Sequence, residues 1–252
     1  MSICHKSLLS WLCAFLLVIP LLASAACDDP PTPGVNWSGC DKSNAQLAGA
    51  DLRGAILKRI NLEGANLSGA RLSGSDFSFA RMSGADLSAA RLHDASMLSV
   101  DLSKAILRRA LMHRARLDRA NLRDADLSSA ELRESDFYQC HLDRARLQNS
   151  NLQQTQFKQA LLDGAILDGA NMQESDLLKA SLEKSSLRKV NLYKAKLEQT
   201  NLYYTDFSGA DLRRASLVDA ELYETKFTGA QLGAAMWVDR KRCRLDAGDV
   251  CD

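Results

Sequence analysis

The sequence predicts a solenoid, a chain that coils on itself so that each coil buries the next. Three observations carry this. From Leu47 to Leu232 every fifth residue is large and apolar, 38 positions without exception, of which 29 are Leu, five Phe and four Met. Two residues before each of these stands a small one: of the 39 positions from Ala45 to Ala235, 26 are Ala, five Ser and four Thr, and the rest are Ile60, Val100, Cys140 and Val190. All four prolines, Pro20, Pro30, Pro31 and Pro33, precede the repeats, as expected of a stacked ladder that needs its N–H groups. A period of five scatters side chains around a helix and alternates them across a flat strand. It buries them only if the chain bends by the same amount every five residues, so that each large side chain and its small companion share one interior.

The first element lies ahead of the repeats. Met1 to Lys6 carries one lysine, Leu8 to Leu22 is almost wholly apolar, and Ala23-Ser24-Ala25-Ala26 places small residues where a signal peptidase reads them. Residues 1–25 are therefore expected to be a secretory signal peptide. An uncleaved anchor would need a run of roughly 20 apolar residues. A third reading makes Cys27 a lipid-bearing terminus, since Ala25-Ala26-Cys27 resembles the end of a bacterial lipobox, although Ser24 stands where that motif has an aliphatic residue. The full chain has 252 residues and a net charge of +1, and removing residues 1–25 leaves 31 basic and 31 acidic side chains. That neutrality argues against both the basic footprint of a general nucleic-acid binder and the acidic surface of a nucleic-acid mimic.

The second element is the repeat region, residues 45–239. Ala50-Asp51-Leu52-Arg53-Gly54, Ala65-Asn66-Leu67-Ser68-Gly69 and Ala210-Asp211-Leu212-Arg213-Arg214 follow the pattern A(D/N)LXX, and the chain resembles the pentapeptide-repeat family. The resemblance implies an all-β fold, a right-handed quadrilateral parallel β-helix of about nine to ten coils with four pentapeptides per coil. Residues twenty apart then lie one above another, so Phe137 on Phe157 and Phe207 on Phe227 are expected stacks.

The remaining elements cover the open ends that a solenoid would otherwise expose. They are an N-terminal cap, residues 26–44, and a C-terminal cap, residues 240–252, in which Arg242 breaks the register that Trp237 still keeps. The implied rod holds its ends far beyond the roughly 7 Å limit for bridged Cα atoms. Disulfides are therefore expected from Cys27 to Cys40 and from Cys243 to Cys251, the alternative being free thiols. Cys140 takes a small inward position and reads as an inert buried thiol.

The outward positions decide what chemistry is on offer. After residue 25 only His93, His113 and His141 remain as histidines, and no glycine-rich phosphate loop is present. The carboxylates Asp51, Asp86, Asp101, Asp126, Asp136, Asp176, Asp206 and Asp211 recur one place before the central residue, which is repeat grammar rather than a catalytic pair. An enzyme, a cofactor and a metal are accordingly not expected. His93 and His113, twenty apart with Arg133 beyond, form either a solvated ladder or a pH-sensitive or metal-sharing pair, for which no third ligand is evident. On the face centred on Leu57, Phe77, Met97, Leu117, Phe137, Phe157, Leu177, Leu197, Leu217 and Trp237, the outward residues Ile56, Phe79, Leu98, Tyr138, Leu178, Val218 and Val238 are apolar. They are the candidate partner surface. Tyr203 and Tyr223 are expected to stack on another face.

These features point to a non-catalytic, extracytoplasmic module, periplasmic or secreted. It would be a rigid monomeric rod serving a protein or cell-envelope partner, without nucleic acid and without membrane contact beyond the signal peptide or a lipid on Cys27. The alternative comes from the family: some members inhibit or protect DNA topoisomerases such as gyrase by presenting a DNA-shaped acidic rod in the cytoplasm. This chain departs from that pattern through its export signal and its neutrality, with Arg108, Arg109, Arg188, Lys189, Arg213 and Arg214 interrupting any acidic stripe.

Overall fold

A computed structural model describes residues 27–251, and the signal peptide expected over residues 1–25 lies outside the described residues. Parallel β-bridges join residue i to residue i+20 without a break from Asn36↔Ile56 to Ser216↔Met236. A turn follows every central residue from Leu47 to Leu232 except Leu222, where the chain only bends, so four corners close each 20-residue coil and the chain winds as a four-sided β-helix.

The backbone hydrogen bonds of one pentapeptide explain why the unit is five residues long. Around Phe137, the N–H of Asp136 donates to the carbonyl of Ala115 in the coil before (3.0 Å), while those of Phe137 and Gln139 donate to Gln156 (2.7 Å) and Lys158 (3.0 Å) in the coil after. The N–H of Cys140 closes the turn onto the carbonyl of Phe137 (3.1 Å). The fifth donor, on Tyr138, is met by a side chain: Asp136 Oδ1 accepts it at 2.9 Å. The same bond recurs from Ser78 to Asp76, Ser128 to Asp126, Tyr193 to Asn191 and Ser208 to Asp206. Asp or Asn before the central residue thus satisfies the one N–H that the ladder leaves over, an Asx turn built into the repeat. Where Ser181 and Ser186 hold that place, Asp163 and Asp168 from the preceding coil accept the N–H of Glu183 and Arg188 instead, each at 3.0 Å.

The second residue after each centre takes a left-handed backbone, and from Asn44 to Ala234 its φ lies between +51° and +63° wherever it is not glycine. That conformation costs an L-residue about 1 kcal/mol or more. The coil holds it because the flanking bonds above leave no other way to close the turn.

The core is one continuous column. Central residues from Leu52 to Leu217 are buried, and Phe137 and Phe157 stack with ring centroids 5.0 Å apart and planes 17° from parallel. Phe207 and Phe227 do the same at 5.4 Å and 8°. Corner hydroxyls are absorbed locally: Ser135 donates to the carbonyl of Met112 (2.6 Å) and Thr205 to that of Leu182 (2.8 Å). All five Phe centres, Phe77, Phe137, Phe157, Phe207 and Phe227, follow a Ser or Thr corner.

At the N-terminal end the ladder begins at Asn36, earlier than the first repeat visible in the sequence, because Trp37 is buried in register as a centre and Cys40 as a corner. Cys27 is bonded to Cys40 and Cys243 to Cys251, with Cα atoms 5.5 and 4.9 Å apart. The C-terminal cap folds back over the Leu232 and Trp237 sides, where the N–H of Ala234 donates to the carbonyl of Arg244 (3.1 Å) and that of Trp237 to the carbonyl of Lys241 (2.7 Å). Arg242 pairs antiparallel with Met236, and the N–H of Cys243 donates to the carbonyl of Ala235 at 2.9 Å. Leu222 and Phe227, on the neighbouring sides of the last coil, are consequently only half-buried. No helix among the described residues is long and apolar enough to cross a membrane.

Candidate interaction surface

Each pentapeptide points three side chains outward: those flanking the central residue and the left-handed corner. Stacking at i+20 turns each position into a column that runs along the rod with a spacing of roughly 4.8 Å per coil. On the Leu57 face the column after the centre reads Leu98, Asp118, Tyr138, Lys158, Leu178, Glu198, Val218, Val238. Apolar residues stand on alternate coils to Val218, roughly 10 Å apart, with charges of alternating sign between them.

The seven candidate residues do not form one patch. Leu98, Tyr138, Leu178, Val218 and Val238 share this column and are half-buried, Val238 packing against the core. Ile56, 42% exposed, belongs to the column on the other side of the centre. Phe79, 54% exposed, is a corner residue with the Arg59 guanidinium 5.6 Å over its ring.

The same face carries a charged strip. Asp136 lies among Asp118, Arg116 and Lys158, and burial, with the like charge of Asp118, pushes its carboxyl above the usual aspartate range despite the Tyr138 N–H. Asp118 Oδ2 is buried without a hydrogen-bond partner. Asp126, on the opposite face, behaves oppositely: burial opposes its charge, but the Ser128 hydroxyl and N–H and the Arg108 guanidinium outweigh that and hold its carboxyl low. Charge is balanced along the rod axis by pairs such as Arg114–Asp94 (2.8 Å), Arg144–Asp124 (2.7 Å), Arg108–Asp126 (2.6 Å) and Arg188–Asp206 (3.1 Å).

His93 and His113 do meet, edge to face with centroids 5.2 Å apart. Among the described residues no three His, Cys, Asp or Glu side chains gather as a metal-binding group. The Cys140 thiol is buried and donates to the carbonyl of Leu117 at 2.6 Å, and burial raises its pKa far above the ordinary thiol range. At the C-terminal end Tyr203 and Tyr223 pack edge to face at 5.9 Å, and Tyr204, which the sequence reading passed over, reaches Tyr223 at 5.4 Å. The signal for Tyr204 was its place at a corner beside a column already aromatic.

The chain matches the family description "Pentapeptide repeats" over residues 34–64, 45–78, 55–94, 70–109 and 200–235. Residues 120–197 match "Pentapeptide repeat region". Among solved structures it is similar to HetL, a pentapeptide repeat protein involved in heterocyst differentiation regulation from the cyanobacterium Nostoc sp. Identity is 30% over 83% of this chain and 92% of HetL, with a TM-score of 0.46. It is also similar to QnrB1, a plasmid-mediated fluoroquinolone resistance protein, at 20% identity over 60% of this chain and 78% of that one, with a TM-score of 0.45. A third is a pentapeptide repeat protein of the Arabidopsis thaliana thylakoid lumen, at 21% identity over 37% of this chain and 66% of that one, with a TM-score of 0.37. No curated protein matches the chain.

Proposed function

The chain belongs to the pentapeptide-repeat family, whose repeats build a right-handed β-helix, and from that premise we propose a non-catalytic, extracytoplasmic interaction module. It would be a straight quadrilateral rod of about nine to ten coils, roughly 45 Å long at 4.8 Å per coil, that offers its Leu57 face to a protein or cell-envelope partner. The observation that carries this is the column Leu98, Tyr138, Leu178 and Val218, apolar at every second coil and separated by Asp118, Lys158 and Glu198. A rigid β-helix keeps that spacing in solution, so a partner meets the four apolar side chains already ordered and loses little entropy in docking. Export is supported by the apolar segment before Ala26 and by two cap disulfides, which persist in oxidising compartments.

The test is a variant carrying Leu98→Ser, Tyr138→Ser and Leu178→Ser. All three residues point outward, so its unfolding midpoint should stay close to that of the parent, while a partner cross-linked in intact cells through a photoreactive residue at Val218 should be lost. Cross-linking that is unchanged in a folded triple variant would refute the assignment of this face.

A further inference from the structure

On the Leu52 face the column Arg53, Ser73, His93, His113 sets a short side chain between longer ones. The result is a depression of about 350 Å³ over Ser73, lined by Arg53, Arg71, Arg91, His93 and Leu111. Its charge is lopsided. Three guanidinium groups face one carboxylate, Asp51, which Arg53 engages in a two-pronged contact (2.8 and 2.7 Å) and which lies 3.6 Å from Arg71. Arg91 forms no salt bridge among the described residues. Other arginine pairings along the rod are one to one, as Arg114 with Asp94 and Arg144 with Asp124, and what sets this place apart is three guanidinium groups lining one depression.

Guanidinium forks bind tetrahedral oxyanions through paired N–H donors, and two of the three forks here have donors to spare. We infer that this depression, formed by Arg53, Arg71, Arg91 and His93 around Ser73, is a binding site for a phosphate or sulfate group. It is independent of the Leu57 face and would work alongside it or without it.

His93 supplies a built-in reporter. Burial and the neighbouring His113 hold its imidazolium below the usual histidine range, Asp94 opposes this, and Arg114 and Arg91 add to it. A dianion seated beside Arg71 and Arg91 favours protonated His93, so by linkage anion binding raises the His93 pKa and acid tightens binding. Sulfate is the cleaner probe because it does not titrate itself in this range.

The experiment is a titration of the mature protein with sodium sulfate and, separately, sodium phosphate, with chloride adjusted to hold ionic strength constant. It is followed by NMR of the histidine rings and the arginine Nε–H groups. Saturable shifts at His93 and Arg91, a His93 pKa that rises with sulfate but not with chloride, and a dissociation constant about fivefold weaker in Arg91→Gln are the expected results. Response to phosphate and sulfate alike marks a general tetrahedral oxyanion site, and response to one alone assigns the group. Shifts that grow linearly with salt, or are equal in a folded Arg91→Gln protein, would overturn the proposal.

Discussion

Replacing Phe157 with Ala probes the stacked interior directly. Phe157 is fully buried, and its ring lies 5.0 Å from that of Phe137 at 17°. Truncation to Ala removes the ring and leaves a void that the coils cannot close, because the ladder fixes their spacing. Large-to-small changes of this kind cost about 3 to 5 kcal/mol. Phe157→Leu restores the side chain used at most other centres and should cost less than about 1.5 kcal/mol. The assay is urea unfolding followed by tryptophan fluorescence, since Trp37 and Trp237 stand near opposite ends of the described rod. A shift of both reporters together, with Ala far worse than Leu, is the expected outcome. A loss below about 1 kcal/mol for Phe157→Ala would mean that the ring does not fill a closed interior, and the packing account would fail.

Removing the N-terminal disulfide by Cys27→Ser and Cys40→Ser, a separation of 13 residues, should cost about 3 kcal/mol in the same assay. Cys140 should take up no iodoacetamide in the native protein at pH 8 and one equivalent after unfolding, as mass spectrometry would show. Asp136→Asn keeps the oxygen that accepts the Tyr138 N–H but discards a charge that burial and Asp118 disfavour. It should raise the unfolding midpoint at pH 7, with the gain gone at pH 3, where the parent carboxyl is protonated. The opposite sign applies to Asp76, Asp126 and Asp206, whose folded pKa values lie below the ordinary one. Stability they contribute is complete above about pH 4 and is lost as the pH falls through their folded values, so acid titration of the unfolding midpoint should show a decline. With charge neutralised along the rod, purified protein should leave DNA supercoiling by gyrase unchanged.

Much of the fold was legible because one constraint repeats. A centre such as Leu117 and its corner Ala115 have no alternative place once coils stack, and the stacks Phe137 on Phe157 and His93 on His113 follow from counting by twenty. What could not be read depends on geometry that leaves no trace in residue type. Lys104, Gln154 and Glu174 all adopt left-handed backbone because bonds to adjoining coils impose it, and an exposed corner places little demand on its side chain. The Asp and Asn before each centre look like surface decoration in the sequence, yet their side chains complete the backbone hydrogen bonding. Leu222 and Phe227 carry the same repeat signature as every other centre, and only the path of the cap, over the Leu232 and Trp237 sides, explains their exposure. On the candidate surface, Leu98, Tyr138, Leu178, Val218 and Val238 share one column, while Ile56 and Phe79 stand in other columns of the same face because flanking and corner positions diverge around the coil. The depression over Ser73 was missed because it arises from a contrast in side-chain length between neighbours twenty residues apart, which a search for motifs along the chain does not register.

The central claim, an exported rod closed by two disulfides, is tested most directly by the intact mass of the protein recovered from fractionated cells, taken after alkylation with and without prior reduction under unfolding conditions. An extracytoplasmic species beginning near Ala26, with one alkylated thiol before reduction and five after it, is the expected result. A full-length cytoplasmic species with all seven cysteines alkylated without reduction would contradict it.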